Sequence, residues 1–368
     1  MEKSGTQRPL SLAAAEAVRT YAATARSALG SAEAPVISYA GLWLLLASLA
    51  PAAETETDEV LGLNRADARA AALTLLEAPH PTIGAAVAGW LRPGVELSKG
   101  LPVMLDPLPD QDGLDAWADE HTRGLITEFP LEIDARTLLV LASALVVTPR
   151  WIEPLDDDGE GLLLLEGGFQ AVVETEAAGP VAVACPSSED GISVYSVIAA
   201  DGVSAADVWL AADEVVRRID TGEVRNRTFE PGGGDAAGGH AWTVEEVTVF
   251  GGAPADRWRS HLPEWSAEDR HDLDAAPGVA EIARGVMAAV EEESEAACVQ
   301  KAVASYDREG FEAAAVTGMM VRAAAAAPSE TTVRQIDLRF DRPHAVVAVA
   351  RGGAWEGIPL FSSWVTPA

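Results

Sequence analysis

The chain has 368 residues, 48% of them apolar, which excludes a disordered chain and is enough for one large domain or two. Its formal charge of −31 at pH 7 gives a surface that repels phosphate backbones and anionic lipid, so neither nucleic acid nor a membrane is an expected partner. The two cysteines, Cys185 and Cys298, have no metal spacing and form no disulfide framework; as buried small hydrophobes they suit a reducing compartment.

Residues 1–21 have no long apolar core and no clear cleavage site, so a cytoplasmic location is expected, with secretion by another route left open. Leu10 to Leu29 is alanine-rich with apolar residues at helical spacing, and Gly30 stops it. Val36-Ile37 reads as a short strand, and Ser38 caps a helix over Gly41–Ala50 that is apolar all round and therefore buried. That run, counted from Leu42, is the longest apolar one and falls far short of the ~20 residues of a membrane span. Helices over Thr57–Leu63 and Ala66–Glu77 follow, and Pro79-His80-Pro81 breaks the chain.

Pro102–Asp112 reads as a loop, and Leu114–Thr122 as a helix with Gly124 as its stop. Arg136–Val147 is too uniformly apolar for an amphipathic helix and reads as a central strand. Gly161–Glu166, Phe169–Glu174, Pro180–Ala184 and Ser193–Ile198 alternate with turns, and Gly232–Gly239 is a glycine-rich loop. A helix over Val279–Val290 precedes strands at Cys298–Ala304, Ile336–Phe340, Ala345–Ala350 and Leu360–Val365. Without a βαβ rhythm or an internal repeat, the order argues an α+β fold with large, mostly antiparallel sheets. The alanine-rich, acidic usage points to a bacterial source.

Familiar site motifs fail on spacing. The run Asp156-Asp157-Asp158-Gly159-Glu160-Gly161 opens like a calcium loop, but its twelfth position is Gly167, where a bidentate Glu is needed. Gly232-Gly233-Gly234 lacks the Lys-Ser/Thr of a phosphate cradle. The six histidines show no i, i+4 pairing, and no nucleophile elbow is present. Asn226-Arg227-Thr228 is a glycosylation sequon that matters only for a secreted chain. No metal, no cofactor and no catalytic residue is expected.

The informative stretch is Glu309 to Pro343, a long connection with no proline before Pro328. Taken as a strand, Phe311–Arg322 alternates so that Phe311, Ala313, Ala315, Thr317, Met319 and Val321 form one uncharged face. Glu312, Ala314, Val316, Gly318, Met320 and Arg322 form the other, which carries both charges. Such a segment is able to enter a sheet with one face buried.

Glu309-Gly310-x-Glu312-Ala313-Ala314-Ala315, with Thr317 beyond, resembles the hinge of the serpins. Other matches follow in family order: Ile37-Ser38 to Leu49, Asp58-Glu59-Val60-Leu61, Leu114-x-x-Trp117 with Thr122-x-Gly124-x-Ile126, and Leu139 to Trp151 with Pro154. Leu262-Pro263-x-Trp265, Asp341-Arg342-Pro343 and Leu360-Phe361-x-x-x-Val365-x-Pro367 complete the resemblance, which covers nearly the whole chain. It implies a single domain over residues 1–368 with a helical cluster and an exposed C-terminal reactive loop, a breach tryptophan at Trp151 and a shutter that includes Ser38.

Departures stand at particular positions. Arg308 replaces a usually acidic hinge residue, and bulky Phe311 replaces a small residue, so it is expected to slow insertion. Gln300 stands where the shutter has histidine, and Gly41 and Ser143 where it has serine and asparagine. The stretch Gly100–Gly113 looks too short for the usual helix and edge strand, and the reactive loop, about residues 309–335, looks several residues longer than usual.

The resemblance implies a serine protease partner, trapped by a suicide substrate whose cleaved loop enters the main sheet. Family spacing counted from Gly310 puts the cut bond at Ala324–Ala325, suiting an elastase- or subtilisin-like protease; Arg322–Ala323 would suit a trypsin-like one and is ranked second. A monomer is expected. The alternative is a non-inhibitory binding or accessory protein on the same fold.

Overall fold

The computed structural model describes residues 10–53, 57–230, 239–250, 256–290, 296–311 and 330–367. The N-terminal helices are α1 (Leu10–Leu29), α2 (Tyr39–Leu49), α3 (Asp58–Leu61) and α4 (Arg65–Glu77). The Ser38 hydroxyl caps α2 by accepting from the Gly41 N–H, and ten of the helix's eleven residues are buried, as its unbroken apolar run requires.

A three-stranded sheet follows, made of β1 (Ile83–Leu91), the two-residue edge strand β2 (Asp106–Pro107) and, after helix α5 (Gln111–His121), β3 (Leu139–Val147). β1 and β3 are antiparallel over nine register pairs, Ile83↔Val147 to Leu91↔Leu139, and β2 lies parallel to the end of β1. The stretch before α5 is thus long enough for an edge strand, though only a stub of one.

The next strands are β4 (Asp156–Asp157), β5 (Leu163–Leu165), β6 (Phe169–Thr175), β7 (Gly179–Cys185) and β8 (Ile192–Ile198), followed by helix α6 (Ala205–Asp220). Then come β9 (Trp242–Phe250), β10 (Arg257–Leu262), β11 (Trp265–Asp272), α7 (Val279–Met287), β12 (Val299–Tyr306), β13 (Glu330–Arg339), β14 (His344–Ala350) and β15 (Pro359–Val365). Two five-stranded sheets, ordered β15-β14-β8-β7-β6 and β4-β5-β10-β13-β9, join the three-stranded one, while β11 and β12 form a two-stranded antiparallel sheet. The architecture is α+β with largely antiparallel sheets.

The main core lies beneath β3 and β12, where α2 packs against β14, β15 and α7. A second cluster holds α6 on the β6–β8 and β14 face, and a third holds α5 on the outer face of β1 and β3 through Trp90, Leu114, Phe129 and Val140. α7 approaches the segment after α2 so closely that a Cβ on Gly285 would stand 2.1 Å from the Ala52 carbonyl oxygen, which is why a glycine sits inside this helix. Both cysteines are free thiols whose acidity burial suppresses, pushing each up to about 12; Cys185 is buried and Cys298 half-buried.

Candidate functional site

β3 and β12 run side by side in the same direction, yet among the described residues no rung joins them. The described strand partner of β3 is β1, and that of β12 is β11. Between the two strands lies a cavity of about 940 Å³. Trp117, Ile126 and Phe129 line it on the α5 side, and Leu42, Ile282 and Val286 on the side of α2 and α7. It is a slot the length of a strand, each wall presenting a backbone edge that no described strand pairs, and such edges accept another strand.

The hinge stands at the mouth of this slot. After β12, Asp307 makes a tight turn: its Oδ1 accepts the N–H groups of Glu309 (2.7 Å) and Gly310 (3.0 Å), and its own N–H donates to the Gly310 carbonyl (3.0 Å). The chain then reverses along the continuation of β3. Gly310 bridges Arg150 in antiparallel sense, Trp151 N–H donates to the Glu309 carbonyl (3.0 Å), and Phe311 N–H donates to the Pro149 carbonyl (3.1 Å). Leu155 N–H holds the Arg308 carbonyl at 2.8 Å, while the Arg308 side chain is exposed.

Aromatic rings pin the turn. Trp151 is buried, donates from Nε1 to the Asp307 carbonyl (3.0 Å) and lies 5.2 Å from the Tyr306 ring. Trp265 stacks on Tyr306 at 6.2 Å and meets Phe311 edge-on at 6.1 Å. Phe311 is only 3% exposed. The ring occupies a fitted place among aromatics at the slot mouth, on the core side.

Halfway down the slot both walls are tied to the start of α2. On β3, the Ser143 hydroxyl donates to the Gly41 carbonyl (2.8 Å). On β12, Gln300 exchanges two hydrogen bonds with Ser38: Ser38 N–H to Oε1 and Nε2 to the Ser38 carbonyl, both 2.8 Å. Ser38 Oγ also donates to the Leu360 carbonyl at 2.7 Å. Gln300 thus mimics a strand partner for the backbone at Ser38. Gly41 leaves space for it, since a Cβ there would sit 3.3 Å from Ser38 Oγ and 3.6 Å from Gln300 Nε2. Trp151, Ser38, Gly41, Ser143 and Gln300, read separately from the sequence, line the slot or its mouth together. Glu312, Ala313, Ala314, Ala315 and Thr317, and the cut-bond candidates Arg322, Ala323, Ala324 and Ala325, lie outside the described residues.

One cluster has no sequence forecast. His261 on β10 lies between Asp158 Oδ2 (2.7 Å, to Nδ1) and Asp337 Oδ1 of β13 (3.5 Å, to Nε2). The hydrogen bond to Asp337 raises its pKa; burial and the nearby Arg339 and Arg259 oppose this, and Asp158 adds to it. The acidic run that looked like a calcium loop uses Asp158 here, and the same carboxylate also accepts the N–H groups of Glu160 and Leu162.

A parted sheet with a turn over the gap is a distinctive feature of an α+β fold. Solved structures similar to the whole chain include human glycosylated kallistatin (TM-score 0.66, 16% identity, 97% of this chain and 98% of that one). Thyroxine-binding globulin in complex with thyroxine also matches (0.61, 14%, 96% and 98%), as does the thermophilic serpin Tengpin in its native state (0.64, 12%, 100% and 96%). These are serpins, and the chain has the serpin fold. No protein-family profile and no curated protein sequence matches it.

Proposed function

We propose that the protein inhibits a serine protease as a suicide substrate, with residues 312–329 as the loop that is cut and drawn into the slot between β3 and β12. The observation that carries this reading is the hinge: Gly310 and Phe311 already pair with Arg150 and Pro149 at the slot mouth, heading along β3. Extending that register sets Ala313, Ala315, Thr317, Met319 and Val321 opposite Val147, Leu145, Ser143, Leu141 and Leu139. This is the uncharged face, and Leu145 and Val147 belong to the main core. Extending the Asp307–Gly310 turn along β12 sets the same Thr317 opposite Gln300, so the small polar residue meets the polar belt of the slot.

The strand so formed ends at Val321, which leaves both Ala324–Ala325 and Arg322–Ala323 just beyond the slot. The protease serine oxygen attacks the carbonyl of that bond, an ester to the new C-terminus forms, and the amine side leaves with a proton. Strand pairing along two unsatisfied edges then supplies the free energy that carries the acyl-enzyme away from its hydrolytic geometry. In this reading the chain is consumed as a substrate and contributes no catalytic residue.

The test is incubation with elastase-like, subtilisin-like and trypsin-like proteases, followed by denaturing electrophoresis. A covalent complex of summed mass, lost when the protease serine is replaced by alanine, supports the reading, and clean cleavage without a complex by every protease opposes it. A second reading is a binding module, since thyroxine-binding globulin carries thyroxine on this fold. Cleavage without a complex would favour it.

A further inference from the structure

β1 and the wall strand β3 end together at Leu91↔Leu139, at the far end of the slot from its mouth. The chain leaves β1 there through a tight turn, Arg92-Pro93-Gly94-Val95, closed by the Val95 N–H donating to the Arg92 carbonyl (3.1 Å). The proline presets the first corner, and Gly94, at φ +90°, takes the left-handed second corner of a type II turn. Arg92 pins the turn to the residues that lead into β3. Its N–H donates to the Leu138 carbonyl (2.8 Å), its Nε to the Thr137 carbonyl (2.6 Å) and its Nη2 to the Asp134 carbonyl.

Beyond the turn the chain crosses to the side of the other wall. Leu97 bridges Val290 in antiparallel sense, and the Ser98 N–H donates to the Ala289 carbonyl (2.8 Å). The Ser98 hydroxyl lies 3.2 Å from the carbonyls of Ala288 and Ala289. These residues close α7, and Val290 lines the slot. The segment ahead of α7 is in turn fastened to the start of β12: the Leu273 N–H donates to the Cys298 carbonyl (2.7 Å), and the Cys298 N–H to Asp274 Oδ1 (2.6 Å). A continuous run of hydrogen bonds thus joins the β1–β3 wall to the α7–β12 side across the far end of the slot. Further on, Arg69 of α4 holds the Pro102 carbonyl at 3.1 Å and so anchors the crossing segment at its other end.

A strand seated between two neighbours needs them about 10 Å apart, twice the ~4.8 Å strand spacing. At the far end this crossing segment sets the separation, and a hydrogen bond stretched past about 3.5 Å is no longer one. We propose that residues 92–98 are a tie across the far end of the slot. A cut loop then parts the walls from the mouth downward, and its last residues seat only after Leu97 and Ser98 release the end of α7. The inference rests on the strand-insertion reading of the loop. In this order Ala313 and Ala315 seat opposite Val147 and Leu145 before Met319 and Val321 reach Leu141 and Leu139.

The test locks the tie. Leu97→Cys and Val290→Cys face each other in the antiparallel bridge, at a separation a disulfide spans, in a chain with Cys298→Ala so that this half-buried thiol does not compete. The loop is nicked with a non-target protease. The gain in heat resistance of cut over uncut protein, and hydrogen exchange along β3, are then followed in the oxidised and the reduced form. The reduced form is expected to gain full resistance, with amides protected both at residues 144–147 and at residues 139–142. The oxidised form is expected to gain less and to protect residues 144–147 alone. Ser98→Pro removes the N–H that holds Ala289 at an exposed position, and is expected to complete the conversion about fivefold faster than the parent, as loss of one backbone hydrogen bond implies.

An oxidised form that gains resistance and far-end protection as fully as the reduced one would overturn the tie, and so would Ser98→Pro protein that converts at the parental rate. The cleaved parent protein separates the two claims. If it gains heat resistance while locking the tie changes nothing, only the tie fails. If the cleaved parent gains none, strand insertion itself fails and the tie with it.

Discussion

Gln300 on β12 and Ser38 at the start of α2 exchange a pair of hydrogen bonds, each 2.8 Å, across 262 residues of sequence. Together with the bond from Ser143 to Gly41, this ties both walls of the slot to one helix start instead of to each other. Gln300→Ala leaves the Ser38 backbone groups without these partners in a part-buried place. The uncut protein is expected to lose about 2 kcal/mol, read as a lower urea midpoint at unchanged slope. An unchanged midpoint would mean that the pair does not hold the wall.

Phe311→Ala separates two views of the hinge. The ring is buried against Trp265, and its removal is expected to destabilise the uncut protein by about 3 kcal/mol. It should also expose the amides of Gly310 and Phe311 to hydrogen exchange. If Phe311 were instead an obstacle, alanine would leave stability unchanged and hasten insertion.

His261 gives a pH dependence with a definite sign. Hydrogen bonds to Asp337 and Asp158 hold its folded pKa above 6.5, so the imidazolium's contribution is complete below 6.5 and is lost as pH rises through the higher folded value. In Asp158 and Asp337, burial works to raise the pKa, but hydrogen bonding keeps both below 3.8, so their contribution is lost only as pH falls through those lower values. The parent protein should therefore exceed His261→Gln in stability most between pH 3.8 and 6.5, with the gap closing as pH rises above 6.5. Urea midpoints across that range check it, and a gap that widens with pH would contradict the pairing.

Gly285→Ala should destabilise by about 3 kcal/mol or more, because the new methyl group would meet the Ala52 carbonyl at 2.1 Å and α7 must shift away from the segment after α2. Thermal unfolding of the variant measures it; a loss under ~0.5 kcal/mol would mean that α7 moves freely.

Local signals carried much of the fold. α1 was legible to the residue because its alanine-rich pattern runs without interruption into Gly30. β1 escaped notice: Ile83–Leu91 holds three alanines and two glycines, poor strand formers that become a strand only through nine pairings with β3. α6 was missed although its signals were present, with the Ser204 hydroxyl capping at Asp207 N–H and Val208, Trp209, Ala212 and Val215 buried at helical spacing. At the site, the hinge pattern and the shutter positions could be read because a family resemblance placed them. The gap between β3 and β12 is a tertiary relationship, and so is the placing of His261 between carboxylates from two other segments. No local pattern encodes either.

Strand insertion is tested most directly by nicking the purified protein between Val316 and Pro328 with a non-target protease, then comparing thermal unfolding of the cut and intact forms. A loop that fills the slot adds paired edges on both walls, and the cut form should unfold at a markedly higher temperature than the intact one. An equal or lower unfolding temperature would contradict insertion, and the slot would then have to be read as a binding cleft.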